Sequence, residues 1–287
     1  MSSVSFAEAQ KRLANYRKHN TRSSEEVVQL GTKIIRGNGL KKMGDEAWAF
    51  LEQVALAALD IGQVELAYDC IAQLEERFPD SPRTTVLQGI VLESTGQYQK
   101  ALLWYDAALE IDESNAAYWK RKIAVRRQMG ETEKVVEELS AYLDTFYADA
   151  DAWLELAEVY ASVNQYTHAL QCLSHVMLIA PQNPFYVLQA AETAYSAGDV
   201  PLAARYYLRV VELTEGDSRR AWFGVKLCAR RLLNEANAAN SASNTAVPKH
   251  LGELELLATE KLADAYSASK TGGEARGWTV VERWLSS

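Results

Sequence analysis

A spacing of 34 residues runs through the middle of this 287-residue chain and limits its fold more than any other feature. Steps of 34 from Ala169 reach Val135, Ala101 and Ala67 in one direction and Ala203 in the other. Four residues beyond each lie Ile71, Tyr105, Leu139, Leu173 and Tyr207, all bulky. Seven residues beyond lie Leu74, Ala108, Tyr142, Val176 and Val210, all apolar. Positions i, i+4 and i+7 share one face of an α-helix. Five helices therefore carry one stripe at one phase, a small residue followed a turn later by a large one. The small residue lets a neighbouring helix come close, and the large one fills the groove beside it. Gly62, Gly96, Gly130 and Gly198 are spaced to supply the left-handed backbone that ends a helix. Pro79 and Pro181 fall where a helix cannot continue.

Residues 150–181 show what the unit is. Trp153, Leu156, Ala157 and Tyr160, then Ala169 and Leu173, then Pro181 follow the tetratricopeptide pattern, with alanine for its glycine and leucine for its phenylalanine. Such a helix pair cannot bury its apolar face alone, so neighbours must stack. The expectation is an all-α fold, a tetratricopeptide-repeat right-handed superhelical solenoid with extra N- and C-terminal helices. The division reads as N-terminal helices packing on the array over residues 1–47 and the array over 48–233, about five repeats plus a capping helix. A flexible linker, poor in large apolar residues, follows over 234–248, and a C-terminal helix and tail over 249–287. In that last helix Leu251, Leu254, Leu257, Ala258 and Leu262 fall on one face, and Lys270 to Gly277 reads as a flexible break. The third repeat departs most, because Lys122 and Arg126 fall where apolar residues usually pack. Either their aliphatic stems snorkel or that helix is rotated.

Composition narrows the function. The formal net charge is −8, against the basic footprint of a nucleic-acid binder. No run approaches the roughly 18–20 apolar residues of a membrane-spanning helix, and Met1 to Asn20 lacks the apolar core of a secretory signal. Three scattered cysteines, Cys70, Cys172 and Cys228, imply no disulfide framework and point to a reducing, cytosolic setting. There is no phosphate-binding glycine loop, nucleophile elbow or dinucleotide fingerprint. The chain reads as non-enzymatic, with no cofactor.

Four features invite a sharper reading. His168, Cys172 and His175 share a helix face and are ligand types that zinc accepts, but no fourth ligand lies near, and a structural role is the better reading. Adjacent acids such as Glu75 and Glu76 are ordinary solvated surface. Lys120, Arg121, Lys122, Arg126 and Arg127 put five cations within eight residues of an acidic chain. They are either a solvated helix face or a docking patch for an acidic, carboxylate-bearing segment on the first-helix side of the array. Trp278 and Trp284 are either anchors for a partner groove or a cap folded back on the stack.

Longer runs carry a resemblance. ERFPDS (76–81), ALLWYDAALEIDESNAAYWKRKIAVRRQMG (101–130), ELSAYLDTFYADADAWLELAEVY (138–160), PQNPFYVLQAAETAY (181–195) and RAWFGVKLC (220–228) resemble the subunit 2 family of the endoplasmic reticulum membrane protein complex, over about residues 45–232. The Lys-Arg-Lys-Ile-Ala run at 120–124 and the Ala-Trp-x-Glu-Leu-Ala-Glu-x-Tyr run at 152–160 are more specific than generic repeat positions. The resemblance implies a peripheral scaffold on the cytoplasmic face of that membrane, attached indirectly through its partners. It implies partners among the complex's other subunits, the cytosolic parts of subunits 3 and 5 among them, and a role in inserting tail-anchored and multipass proteins. The alternative is a soluble tetratricopeptide co-chaperone that binds acidic chaperone C-termini. Its carboxylate clamp spreads cations over consecutive repeats, whereas here they crowd one helix.

Overall fold

The computed structural model describes residues 5–238, 250–267 and 275–286, and every element among them is an α-helix. The chain divides into two compact units, residues 1–135 and 136–287. The first holds α1 (Phe6–Lys18), α2 (Ser24–Arg36), the single turn α3 (Leu40–Met43), α4 (Glu46–Asp60), α5 (Val64–Arg77), α6 (Pro82–Ser94), α7 (Tyr98–Ile111), α8 (Ala116–Gln128) and the start of α9 (Thr132–Thr145). The second holds the rest of α9, then α10 (Ala150–Ser162), α11 (Tyr166–Ile179), α12 (Pro184–Ala197), α13 (Val200–Leu213), α14 (Arg219–Ala238), α15 (Leu251–Ser267) and α16 (Ala275–Ser286). From α4 onward the helices alternate as first and second members of the pairs that the spacing predicts, and α14 follows as a further first helix, against which α15 packs.

All fifteen stripe residues are buried, none more than 7% exposed. Each large apolar side chain so enclosed contributes about 1.5–3 kcal/mol. In the first unit the core is continuous from Leu13 of α1 through Val27 and Ile34 of α2 to Phe50 and Val54 of α4, so the N-terminal helices share the core of the first repeat. In the second, Ala203 and Tyr207 of α13 pack with Trp222 and Cys228 of α14 and with Ala258 and Leu262 of α15. The three cysteines are buried and free. Burial pushes the thiols of Cys70 and Cys228 up to about 12 and that of Cys172 to about 11, so they are packing residues, not nucleophiles.

The turns follow the glycine spacing, with φ between +72° and +87° at Gly62, Gly96, Gly130 and Gly198. Between α10 and α11 the same place is taken by Asn164, at φ +60°, a conformation asparagine tolerates. A second device repeats with the array. The indole N–H groups of Trp119, Trp153 and Trp222 each donate to the carbonyl six residues earlier, on Glu113, Tyr147 and Gly216, at 2.8–2.9 Å. Each ring thus pins the loop that leads into its own helix. Asn115 caps α8 by accepting from the amide of Ala117, and Asp149 caps α10 by accepting from that of Ala152.

Where the residue four places along the stripe is tyrosine, the facing helix gives way. A Cβ on Gly89 would lie 2.2 Å from the Tyr105 hydroxyl, and one on Gly224 would lie 2.3 Å from the Tyr207 ring. Both glycines sit in helix interiors, so the approach of the ring, not the backbone angle, requires them.

The structure differs from the sequence expectations in several places. Helix α14 runs to Ala238, five residues into the stretch read as linker, helped by an i,i+4 pair from Arg231 to Glu235 at 3.1 Å. Residues 239–248 of that stretch lie outside the described residues. Leu257 is 40% exposed while Leu251, Ala258 and Leu262 are buried, so the buried face of α15 runs at i, i+7, i+11 and leaves Leu257 out. Helix α16 begins at Ala275, within the expected break.

Gly224→Ala is expected to destabilise the protein by about 1–3 kcal/mol through overpacking against Tyr207. Gly252→Ala, where nothing lies within 4 Å of the new Cβ, is expected to be neutral or stabilising by up to about 1 kcal/mol. Urea unfolding of the two variants checks this, and equal effects would contradict the close approach.

Candidate partner-binding surface

The five cations sit on α8, and the structure sorts them. Lys122 and Arg126 lie largely inside, with side chains 14% and 17% exposed. Lys122 Nζ is 2.8 Å from Asp106 Oδ1 and 5.6 Å from the centre of the Trp119 ring. Arg126 Nη1 is 2.7 Å from Glu131 Oε2, and Glu131 is shared with Lys134 at 3.0 Å. The stems therefore pack as apolar residues would, while the heads are neutralised at the edge. Tyr118, Ile123 and Val125 of α8 remain buried, so the helix keeps its place without rotation.

Arg121 is part of a network that ties three helices. Its Nε donates to Glu93 Oε1 on α6 at 3.0 Å, and its Nη2 donates to the other carboxylate oxygen. Tyr105 of α7 donates its hydroxyl to Glu93 Oε1 at 2.7 Å. The Glu93 side chain is only 4% exposed. Burial is the largest single influence on the Arg121 pKa and would lower it, but the charge of Glu93, together with the hydrogen bonds and charge interactions with Tyr105 and Glu93, outweighs it and the guanidinium titrates above its ordinary value. Burial and the same carboxylate push the Tyr105 phenol upward. Arg220 of α14 pairs with Glu192 of α12 at 2.5 Å across the same 28-residue offset, so an acid-to-arginine link between consecutive first helices occurs in both units. Of the five cations, only Lys120 and Arg127 are exposed side chains.

Arg121 also borders a groove of about 420 Å3 among the first helices of the first unit, with Arg22, Ser24, Leu56, Asp60 and Ile90. Its floor is aliphatic and its walls are charged. Arg22 forks onto Asp60 at 2.5 and 2.9 Å, and Ser24 donates to the same carboxylate. The Arg22 hydrogen bonds hold the Asp60 carboxyl below the ordinary carboxylate range against the opposing effect of burial, and Ser24 adds to them. Arg22 and Asp60 were not singled out from the sequence. Their separation of 38 residues carries no periodic signal.

The histidine triplet does not converge. His175 stacks on Trp153 with ring centres 4.2 Å apart, His168 stacks on Tyr160 at 5.1 Å, and Cys172 is buried. Each ring is committed to an aromatic of α10, and no cluster able to hold a metal occurs among the described residues. Trp284 packs within the second unit, its ring 5.0 Å from that of Phe223, and the buried Lys226 donates to the Leu285 carbonyl at 3.1 Å. The side chain of Trp278 lies outside the described residues. No helix among the described residues is long and apolar enough to cross a membrane.

Because the folded Asp60 carboxyl titrates below its unfolded value, its stabilising contribution is whole above about pH 4 and is lost as pH falls through the folded pKa. Melting temperature measured against pH should therefore fall less steeply on the acid side for Asp60→Asn than for the parent chain. Identical acid limbs would contradict the Arg22–Asp60 assignment.

The matches to other proteins agree with this anatomy. The family described as the EMC2 TPR-like repeat domain matches residues 79–201. ER membrane protein complex subunit 2-B of Xenopus laevis is 34% identical over 266 residues, 92% of this chain and 87% of its own. TPR repeat protein oca3 of Schizosaccharomyces pombe is 32% identical over 247 residues, 84% of this chain and 83% of its own. The C-terminal part of a TPR repeat-containing protein from Cytophaga hutchinsonii shares the fold, with a TM-score of 0.58 at 14% identity over 91% of this chain and 95% of its own. With stacked helix pairs in both units and relatives at this identity over nearly the whole length, the chain belongs to the tetratricopeptide-repeat family of ER membrane protein complex subunit 2.

Proposed function

We propose that this chain is a non-enzymatic scaffold subunit of the endoplasmic reticulum membrane protein complex. It sits peripherally on the cytoplasmic face and organises the cytosolic parts of other subunits, subunits 3 and 5 among them, for insertion of tail-anchored and multipass proteins. The observation that carries this reading is the first-helix groove, a preformed concavity with an aliphatic floor and charged walls, in a chain whose relatives are named as subunits of that complex. A segment of a partner seated there gains affinity from a few enclosed anchors and one or two charge pairs. Lys120 and Arg127 are the cations of α8 that we assign to contact with partners. Arg121, Lys122 and Arg126 support the surface from inside, each engaged with a carboxylate of the first unit. The placement of Trp284 against Phe223 favours a capping role for α16 over an anchor. A carboxylate clamp for chaperone C-termini is the weaker reading, because three of the five cations it would use are already neutralised within the first unit.

The test is affinity purification of the tagged full chain from detergent-solubilised membranes, with mass spectrometry of what accompanies it. Multi-span endoplasmic reticulum proteins are expected in stoichiometric amounts. Lys120→Glu with Arg127→Glu should reduce their recovery while costing at most about 1 kcal/mol of stability per exposed site. Arg121→Glu should instead cost about 3–5 kcal/mol, because it leaves the buried Glu93 beside a second carboxylate. Recovery of soluble chaperones alone, or full assembly by the double variant, overturns the reading.

A further inference from the structure

The first unit has a second groove, on the side of its second helices. It has a volume of about 500 Å3 and lies between α5 and α7, with α6 as its floor. Tyr68 and Ala72 of α5 form one wall, Trp104 of α7 the other, and Val91 and Leu92 of α6 lie beneath. Tyr68 is 52% and Trp104 38% exposed, large aromatic areas for an ordinary solvated face. Along α7 the strip continues through Ala107 to Ile111, which is 89% exposed, at the i, i+3, i+7 spacing of one helix face. The groove is preformed. The Trp104 indole N–H is tied to the Thr85 carbonyl at 2.9 Å, and Gln88 donates to Glu75 at 2.8 Å, so neither wall must reorganise to receive a ligand.

Its rim is acidic. Helix α5 carries Glu65, Asp69, Glu75 and Glu76 against the single cation Arg77, whose guanidinium lies over the Phe78 ring, 5.8 Å from its centre. Glu65 and Asp69 lie one turn apart on one side of the helix, and neither makes an ion pair among the described residues. On the α7 side Asp106 is already matched by Lys122. An apolar trough bordered by carboxylates selects a ligand with an aliphatic stripe and flanking cations. The same rim repels the anionic headgroups of a membrane surface.

The walls also select the ligand's backbone. Both are helices whose main-chain groups are spent on their own hydrogen bonds, so an extended segment in the trough would find no backbone partners and would have to take its hydrogen bonds from side chains or water. A helix brings its own hydrogen bonds and offers side chains at the spacing of the two wall strips. We propose that the α5–α7 groove is a second docking surface, separate from the first-helix groove, and that its occupant is an amphipathic α-helix of another protein with aliphatic side chains at i, i+4 and i+7 flanked by Lys or Arg.

Fluorescence anisotropy with the full chain tests this. The probe is a labelled synthetic helix with leucines at i, i+4, i+7 and i+11 and lysines beside them, and its control carries glutamates in place of the lysines. The lysine peptide is expected to bind at least about tenfold more tightly than the glutamate peptide. Ala72→Arg, which fills the trough from an exposed position, should weaken binding at least about tenfold. Tyr68→Ala serves as the second variant should the melting temperature of Ala72→Arg shift. Asp69→Lys should weaken binding while Glu260→Lys, the same charge change on α15, leaves it unaltered. The proposal is overturned by equal binding of the two peptides, by binding indifferent to Ala72→Arg and Tyr68→Ala, or by equal loss with Glu260→Lys. It is also overturned by concentration-dependent self-association of the chain, seen in sedimentation and abolished by Ala72→Arg, which would make a second copy the occupant.

Discussion

A tetratricopeptide helix pair has an apolar face that it cannot close by itself, and everything else in this structure follows from closing it against the next pair. The closure works by exchange of volume. A small residue at Ala67, Ala101, Val135, Ala169 or Ala203 admits a neighbouring helix, and the residue four places later fills the space that the approach leaves. Where that residue is a tyrosine the exchange goes further, with Gly89 facing Tyr105 and Gly224 facing Tyr207. A methyl group at either glycine would meet the ring well inside contact distance. The turn glycines and the tryptophan staples then fix the phase at which each stripe is presented.

Helix α8 puts this arrangement under stress, since two cations lie where others of its kind bury aliphatic groups. Taking charge out of water costs several kcal/mol unless a partner is supplied. The first unit supplies one for each inward cation, Asp106 for Lys122, Glu131 for Arg126 and the buried Glu93 for Arg121. The basic run that looks in sequence like one binding patch thus splits into an inner set that holds the helix and an outer pair, Lys120 and Arg127, at the surface. The inner set also gives the first-helix groove a firm wall, because Arg121 is held from behind by Glu93 and Tyr105.

The repeat stripe and the four turn glycines were legible in the sequence because each rests on local spacing. What was not legible depends on contacts at long range or on choices among near-equals. Asn164 takes a glycine's place because asparagine tolerates the left-handed backbone, which spacing alone does not announce. The four-residue α3 is too short to show a period. Leu257 satisfies a helical pattern yet faces outward, since five apolar positions on α15 exceed what its buried face holds. Lys122 and Arg126 left snorkelling and rotation both open until their carboxylates could be placed. The partner of Arg121 lies 28 residues back on a different helix, and the matching offset from Glu192 to Arg220 was a signal present in the sequence. The Arg22–Asp60 wall and the α5–α7 trough are products of packing between elements and left no mark in spacing or composition.

The claim at the centre of this account is that the Glu93–Arg121 pair, not exposure to solvent, is what keeps a basic α8 in the stack. A double-mutant cycle on unfolding free energy measures it directly, with Glu93→Gln, Arg121→Met and the two combined. The account predicts a coupling of at least about 1 kcal/mol, with the double variant less destabilised than the sum of the single ones. A coupling within about 0.3 kcal/mol of zero would contradict it and return Arg121 to the solvated face of α8.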